Sequence, residues 1–236
     1  MKIIQSLSTT RINDETYIQK ILDIYQCSIK MARRFHPITL YTDERGANEL
    51  GHLVDEVKFL KKDTIPYLWD EPKFEVFKNE TGEFIHMDGD IFIAEPLVFP
   101  KEYDVLYDFA DTSEIGYIDS INALSNWGVG DILPEWNSKW NGAYNTGIIG
   151  FKDPLKMKKY VDSFYSIKNF YYKNYGGVEI KYAYLTLEQA LLKLISDNKG
   201  WNSLPMNTIN SYIHIYSFKK YQLGFMELIR TMNKSL

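Results

Sequence analysis

Two carboxylates separated by one glycine, Asp88-Gly89-Asp90, lie in a largely apolar stretch that runs from Phe84 to Ile93. Carboxylates in such a stretch cost a great deal of free energy unless a cation neutralises them, and a divalent metal that also binds phosphate is a usual solution. The glycine lets the backbone turn, so that both acids can face one ion. The pattern therefore predicts a metal site at a strand end. A β-turn is the alternative, because Asp-Gly between β-rich segments also favours a hairpin.

The elements that must position these acids begin with a strand over Lys2–Leu7 and a helix that Asn13 or Asp14 can cap. A strand over Pro37–Thr42 and a helix from Glu44 to Leu53 follow. This alternation predicts the opening of a parallel α/β sheet.

Ligands of such sheets bind at the carboxyl ends of the strands. Ser8, which follows the first strand, and Asp43, which follows the second, are therefore candidate ligand contacts.

The rest of the chain predicts a strand over Tyr103–Tyr107, an apolar strand over Asn141–Phe151 and a helix that Thr186 caps. Between Asp108 and Trp140 the hydrophobic pattern loosens. This stretch is long for a structureless connection, so it indicates a functional loop or an acceptor-side lid. A last strand over Tyr212–Tyr216 and a C-terminal helix complete the chain. No repeat or clean linker interrupts it, so we expect a single domain over residues 1–236.

The composition narrows the class of protein. The chain has 236 residues, a net charge of -4 at pH 7 and one cysteine, Cys27, which excludes an intrachain disulfide and indicates a reducing cytoplasm. The negative charge gives no electrostatic reason to expect nucleic acid as a partner. No stretch approaches the ~20 apolar residues of a membrane span. We therefore expect a soluble, cytoplasmic protein without an integral membrane segment.

Several short segments occur in a characteristic order along the chain. They are Lys73, Asp88-Gly89-Asp90, Tyr144-Asn145-Thr146-Gly147-Ile148, Glu188-Gln189-Ala190-Leu191-Leu192, and His214 with Lys220 six positions later. In this order the chain from about Ile38 to Lys220 resembles the glycogenin-like glycosyltransferases of family 8 and related bacterial sugar transferases with the GT-A fold. The chain departs from that pattern at Ser217, where the family has glycine, at Glu188, where it has aspartate, and in lacking Trp-Asn after the lysine.

The resemblance implies an α/β GT-A fold with a single Rossmann-like mixed sheet flanked by helices, and a DxD motif that binds metal. Its metal ligands would be Asp88, Asp90 and His214, which would hold Mn²⁺ or Mg²⁺ against the diphosphate of a nucleotide-sugar. Lys73 and Lys220 would add positive charge. A UDP-sugar is the implied donor, and a glycan, a lipid-linked glycan or a protein is the acceptor.

The same resemblance places Glu188, Gln189 and Asn145 at the reacting sugar and implies transfer with retention of anomeric configuration. An asparagine amide suits a sugar hydroxyl because it offers both a donor and an acceptor. An inverting enzyme would instead need a carboxylate base on the acceptor side, for which Glu188, Asp111 and Asp131 are candidates.

Two other functions stay open from the sequence. Two aspartates one residue apart also occur in haloacid dehalogenase-like phosphatases, but that class expects threonine or valine soon after the second acid, whereas Ile91-Phe92 follows here. A non-catalytic nucleotide-sugar-binding module is the second alternative. His52 and His86 are interpreted as structural.

Overall fold

A computed structural model describes residues 1–10, 12, 14–61, 70–112, 117–137, 140–175, 183–215 and 222–236. Its strands, in chain order, are β1 Lys2–Leu7, β2 Ile38–Thr42, β3 Glu56–Phe59, β4 Phe84–Met87, β5 Ile91–Ile93, β6 Val105–Tyr107, β7 Ala110–Asp111, β8 Ala143–Tyr144, β9 Ile148–Phe151, β10 Ser203–Pro205 and β11 Tyr212–His214.

The α-helices are α1 Glu15–Arg33, α2 Glu44–Leu50, α3 Glu71–Asn79, α4 Ile118–Asn126, α5 Val129–Ile132, α6 Pro154–Tyr175, α7 Ala183–Leu185, α8 Leu191–Lys199 and α9 Leu223–Ser235. Residues Thr186–Ala190 form a π-helix. Short 3₁₀ helices cover Gly51–Leu53, Pro134–Asn137 and Met206–Thr208.

Parallel pairing joins β1 with β2 and with β4, β2 with β3, and β6 with β10, and helices accompany these strands along the chain. The predicted α/β fold class is therefore confirmed. The chain divides into two compact units, and the predicted single domain over residues 1–236 stays a prediction beside this division.

The first unit consists of Met1–Lys62, Glu83–Pro100 and Asn207–Leu236. Its strands run in the order β4-β1-β2-β3, all parallel, and β5 pairs with β11 in a separate antiparallel ribbon. The carboxylate of Asp14 caps α1 by accepting a hydrogen bond from the Tyr17 N–H at 3.1 Å. The apolar faces of α1 and α9 pack together around Ile24, Cys27, Phe92, Met226 and Ile229.

The second unit consists of Asp63–Gly82 and Lys101–Met206. It holds the strands β10-β6-β9, of which β6 and β10 are parallel and β6 and β9 antiparallel. The ring of Phe74 on α3 stacks on the ring of Phe164 on α6 with centroids 3.6 Å apart. A buried ion pair between Lys168 and Glu71 joins the same two helices.

The segment from Asp108 to Trp140 differs from its prediction as a loose connection. It contains β7, α4, α5 and a 3₁₀ helix, because buried side chains such as Leu124, Val129 and Trp136 recur along it. Gly128 has a φ of 83° between α4 and α5, a conformation that glycine adopts without strain.

Two predicted elements are also divided differently. The strand predicted over Asn141–Phe151 is interrupted after Tyr144, and the helix predicted to begin at Thr186 has its first turn at Ala183. Thr186 is buried and hydrogen-bonds with the Ser120 hydroxyl, so it does not cap a helix. Among the described residues, none of the helices is long and apolar enough to cross a membrane.

Candidate functional site

The two acids lie on a tight turn at the carboxyl end of β4. The N–H of Ile91 donates to the Asp88 carbonyl at 3.2 Å, which closes a turn over residues 88–91. The turn is not a hairpin, because β4 pairs with β1 while β5 pairs with β11. The stretch is therefore a turn at a strand end but not the hairpin that Asp-Gly favours, and the metal site stays a prediction.

The pairing of β5 with β11 brings His214 to this turn. His214 is in register with Ile91, and the N–H of Ile215 donates to the Asp90 carbonyl at 3.1 Å. Nε2 of His214 then lies 3.5 Å from Oδ1 of Asp90. One ligand atom each from Asp88, Asp90 and His214 lies within 4.8 Å of the others, so the structure brings together the three predicted metal ligands.

This donor set suits a divalent first-row ion. Oxygen ligands bind such ions at about 2.0–2.6 Å, so two ligands of one ion can be separated by up to about 5 Å. Two carboxylates and one imidazole form a mixed set that suits Mn²⁺, and three protein ligands leave positions for oxygen atoms of a bound molecule. Asp90 is buried, whereas the Asp88 side chain is 35% exposed. The cluster is therefore anchored on one side and accessible on the other.

Gly89 is required by close packing against Tyr25. A Cβ added to Gly89 would lie 2.3 Å from carbon atoms of the Tyr25 ring, which no side chain tolerates without movement. The Tyr25 hydroxyl donates to the Ser6 carbonyl at 2.7 Å. Burial, and next the charges of Asp88 and Asp90, raise the pKa of Tyr25 well above its usual value. Tyr25 therefore stays neutral and supports the turn from α1.

His86 occupies the position in β4 just before the turn. It is buried, its Nε2 lies 2.9 Å from the Ser6 hydroxyl, and its Nδ1 lies 3.7 Å from Oδ1 of Asp88. Sequence reasoning did not place His86 or Tyr25 at the site, because neither belongs to a motif and their contacts depend on how β1, β4 and α1 assemble.

Asp43 and Ser8, the two predicted strand-end contacts, belong to the first unit. The Asp43 carboxylate accepts from the Thr9 hydroxyl at 2.8 Å and from the N–H groups of Thr9, Thr10 and Gly46, and it thereby caps α2. The Ser8 hydroxyl lies 3.1 Å from that of Thr10. Asp43 thus ties the loop after β1 to the end of β2, and a ligand contact there stays a prediction.

In the second unit, Lys73 and Glu188 form a buried ion pair. The Lys73 ammonium donates to the Glu188 carboxylate and to the Thr146 carbonyl, the latter at 2.9 Å. The Thr146 hydroxyl donates to the same carboxylate, and the Tyr160 hydroxyl donates to the Glu188 carbonyl at 2.9 Å. The Glu188 carboxylate therefore accepts hydrogen bonds from the Lys73 and Thr146 side chains. Sequence reasoning named Lys73 and Glu188 but not their contact.

Gln189 and Asn145, the other predicted catalytic residues, have defined partners in the same unit. The Tyr117 hydroxyl lies 2.6 Å from the Gln189 side-chain oxygen and 3.1 Å from Oδ2 of Asp111. Oδ1 of Asn145 accepts from the Gly147 N–H at 2.9 Å. Glu188 and Gln189 lie on the π-helix, and π-bulges occur frequently at functional sites.

Two further predicted residues are placed less informatively. Asp131 is exposed on α5, and Lys220 lies outside the described residues.

The sequence matches a family model described as a family of unknown function, DUF6734, over residues 1–235. No curated protein matches it. Among solved structures, the glycosyltransferase GlyE of Streptococcus pneumoniae TIGR4 aligns with a TM-score of 0.50 at 10% identity, covering 98% of this chain and 59% of that one. The inositol-1-phosphate CTP transferase from T. maritima aligns with a TM-score of 0.49 at 14% identity, covering 100% of this chain and 97% of that one. The chain thus shares the fold of GlyE, and it spans 59% of the length of that protein.

Proposed function

Because the chain belongs to DUF6734, a family of unknown function, we propose its activity from the site itself: a metal-dependent glycosyltransferase that uses a nucleotide-diphosphate sugar. The donor is a UDP-sugar, and the acceptor is a glycan, a lipid-linked glycan or a protein. The observation that carries the proposal is the cluster of Asp88, Asp90 and His214 on a transferase-like fold.

The chemistry of sugar transfer fits this cluster. Departure of a nucleoside diphosphate develops negative charge, so the site must neutralise the leaving group. A divalent ion held by these ligands would supply that positive charge. Asp88 and Asp90 would bind it with two carboxylates, while His214 adds a neutral nitrogen and thus leaves the ligand set less negative than a third acid would.

Lys73 and Lys220 are the proposed cationic contacts of the diphosphate. The Lys73 ammonium already has a carboxylate partner in Glu188, so a diphosphate would share this charge with Glu188. Asp43 and Ser8 remain proposed contacts of the nucleotide.

We propose retention of the anomeric configuration. The Glu188 carboxylate already accepts hydrogen bonds from Lys73 and Thr146, and retention needs no carboxylate base on the acceptor side. Gln189 and Asn145 would offer their amides to the sugar hydroxyls.

Calorimetric titration of UDP, and then of GDP, with Mn²⁺ and with a chelator tests the proposal. We expect binding of UDP that depends on Mn²⁺ and is abolished in Asp90→Asn. Glu49→Gln, which removes an equal charge from the exposed side of α2, should bind as the wild type does. Equal UDP affinity in Asp90→Asn with Mn²⁺ would exclude the metal assignment.

The same protein distinguishes the alternatives. UDP release from a UDP-sugar in the presence of an acceptor separates an enzyme from a binding module. Failure to bind either nucleotide, together with phosphate release from a generic phosphate ester, would favour the phosphatase.

A further inference from the structure

We propose that His86 is a positioning residue, whose imidazole is fixed by Ser6 and holds the Asp88 carboxylate in the orientation that binds a divalent ion. This inference rests on the proposed function, because it assigns an outer partner to the same metal site. It concerns a histidine that the sequence pattern marks as structural.

The fold leaves His86 little freedom. β4 is parallel to β1 with His86 in register with Ile4, so its side chain meets Ser6 two residues further along β1. The residue is 1% exposed. A ring with so little exposed surface and a bond to a neighbouring strand keeps one orientation.

The Ser6 hydroxyl can donate to Nε2 or accept from it, so the charge of the Asp88 carboxylate selects the tautomer. A neutral imidazole has one N–H and one lone pair, and the bond made by one nitrogen determines the state of the other. If the Ser6 hydroxyl donates to Nε2, the proton resides on Nδ1 and faces the Asp88 carboxylate. The opposite tautomer would direct the Nδ1 lone pair at a negative oxygen, which is repulsive.

The separation between Nδ1 of His86 and Oδ1 of Asp88 is 3.7 Å, longer than a hydrogen bond. Asp88 is the more exposed of the two acids, so its carboxylate has room to rotate. A rotation that brings one oxygen to Nδ1–H would leave the other oxygen for the ion. Outer partners of this kind typically change metal affinity by about 10–100-fold.

Two isosteric substitutions separate this role from simple packing. In His86→Asn the side-chain amide lies near the place of Nδ1 and keeps a donor toward Asp88. In His86→Gln the amide reaches the place of Nε2 and keeps the contact with Ser6, but it has no donor at the Nδ1 position. The first variant therefore keeps the contact with Asp88, and the second keeps the contact with Ser6.

Mn²⁺ affinity is measured by electron paramagnetic resonance of the free ion, without nucleotide, and circular dichroism checks that each variant is folded. We expect His86→Gln to bind Mn²⁺ about 10–100-fold more weakly and His86→Asn to stay within about threefold of the wild type. Ser6→Ala, which frees the tautomer, should weaken binding severalfold. His52→Gln, a substitution of an exposed histidine, should have no effect.

Wild-type affinity in folded His86→Gln, or equal losses in the Asn and Gln variants, would overturn the positioning role while leaving the metal site intact. Absence of Mn²⁺ binding to the wild-type protein would overturn the metal site and this inference together.

Discussion

At the scale of single residues, Gly89 packs the turn that carries the proposed metal ligands against Tyr25 of α1. We predict that Gly89→Ala weakens Mn²⁺ binding, because the new Cβ would lie 2.3 Å from the Tyr25 ring and must push the turn or the ring aside. Mn²⁺ titration detects the loss, and urea unfolding detects the accompanying destabilisation of about 1–3 kcal/mol.

The matched control is Gly224→Ala in α9, where an added Cβ meets no atom within 4 Å and alanine favours the helix. Adding Tyr25→Ala to Gly89→Ala should restore part of the Mn²⁺ affinity, because it removes the clash. A double variant with no recovery would show that Gly89 is needed for a reason other than the Tyr25 ring.

Glu188 carries a second prediction at this scale. Glu188→Gln removes the carboxylate that pairs with the buried Lys73 ammonium, and loss of one partner of a buried pair typically costs about 3–5 kcal/mol. Urea unfolding should show this cost, and the double variant Lys73→Met/Glu188→Gln should recover much of it. Lys73→Met alone completes the comparison. If the loss of unfolding free energy in the double variant equals the sum of the losses in the two single variants, the two side chains are not coupled.

The residues around the Asp88-Gly89-Asp90 turn differ in how far the sequence alone reveals them. Asp88 and Asp90 stand out because two acids in an apolar stretch are unusual, whereas His214 stands out only through the family resemblance, in which a lysine follows six positions later. Tyr25 and His86 do not stand out, because nothing in the local sequence distinguishes them from an ordinary helix tyrosine and an ordinary strand histidine. Their role depends on contacts over long distances in the chain.

At the scale of elements, α9 is held by a narrow apolar face. Ile229 is 1% exposed within the cluster that includes Ile24 and Phe92, whereas its neighbour Leu228 is 54% exposed. We predict that Ile229→Ala lowers the free energy of unfolding by about 2–5 kcal/mol and that Leu228→Ala changes it by less than about 0.5 kcal/mol. Urea unfolding followed by circular dichroism measures both. Similar costs for the two would contradict the burial of this face.

The start of β6 gives a prediction about pH. A hydrogen bond from the Lys156 ammonium lowers the pKa of Asp104, and the Asn202 N–H lowers it further. Since the folded pKa lies below the unfolded one, the stabilisation is present above the unfolded value and is lost as the pH falls through the folded value. Lys156→Met should therefore lose less stability on acidification than the wild type.

Urea midpoints between pH 5.5 and pH 2.5 measure this effect, and Lys158→Met, which breaks the exposed pair with Asp162, is the control. If the urea midpoint of Lys156→Met falls as steeply on acidification as that of the wild type, another carboxylate controls the acid dependence of stability.

The elements themselves were predictable where their periodicity is strong. β1 covers the predicted Lys2–Leu7 and α1 begins directly after its predicted cap Asp14, whereas α4 and α5, between Asp108 and Trp140, have only nine and four residues. The π-helix at Thr186–Ala190 has no signal in a single sequence, because its extra residue per turn depends on the contacts of Thr186 and Glu188.

At the scale of the whole molecule, the order of strands and helices was enough to predict an α/β fold, but not its two units. Each unit is assembled from separate stretches of the chain. Where the chain passes from one unit to the other, the sequence has no clean linker. Hydrophobic patterns report which face of an element is buried and not against which partner, so this division could not be read from the sequence.

The predicted single domain can be tested because the proposed metal ligands and the tryptophans lie in different units. Asp88, Asp90 and His214 belong to the first unit, whereas all five tryptophan positions fall within the ranges of the second. If residues 1–236 unfold as one domain, Mn²⁺ bound to the first unit must also raise the unfolding midpoint that tryptophan fluorescence detects. At 100 times its dissociation constant the ion adds about 2.7 kcal/mol to the free energy of unfolding, which raises the midpoint by roughly 5–10 °C for a chain of this size.

Circular dichroism should report the same shift, and Asp90→Asn should show none by either method. A shift seen by circular dichroism but not by fluorescence would mean that the two units unfold separately and that the single-domain prediction is wrong.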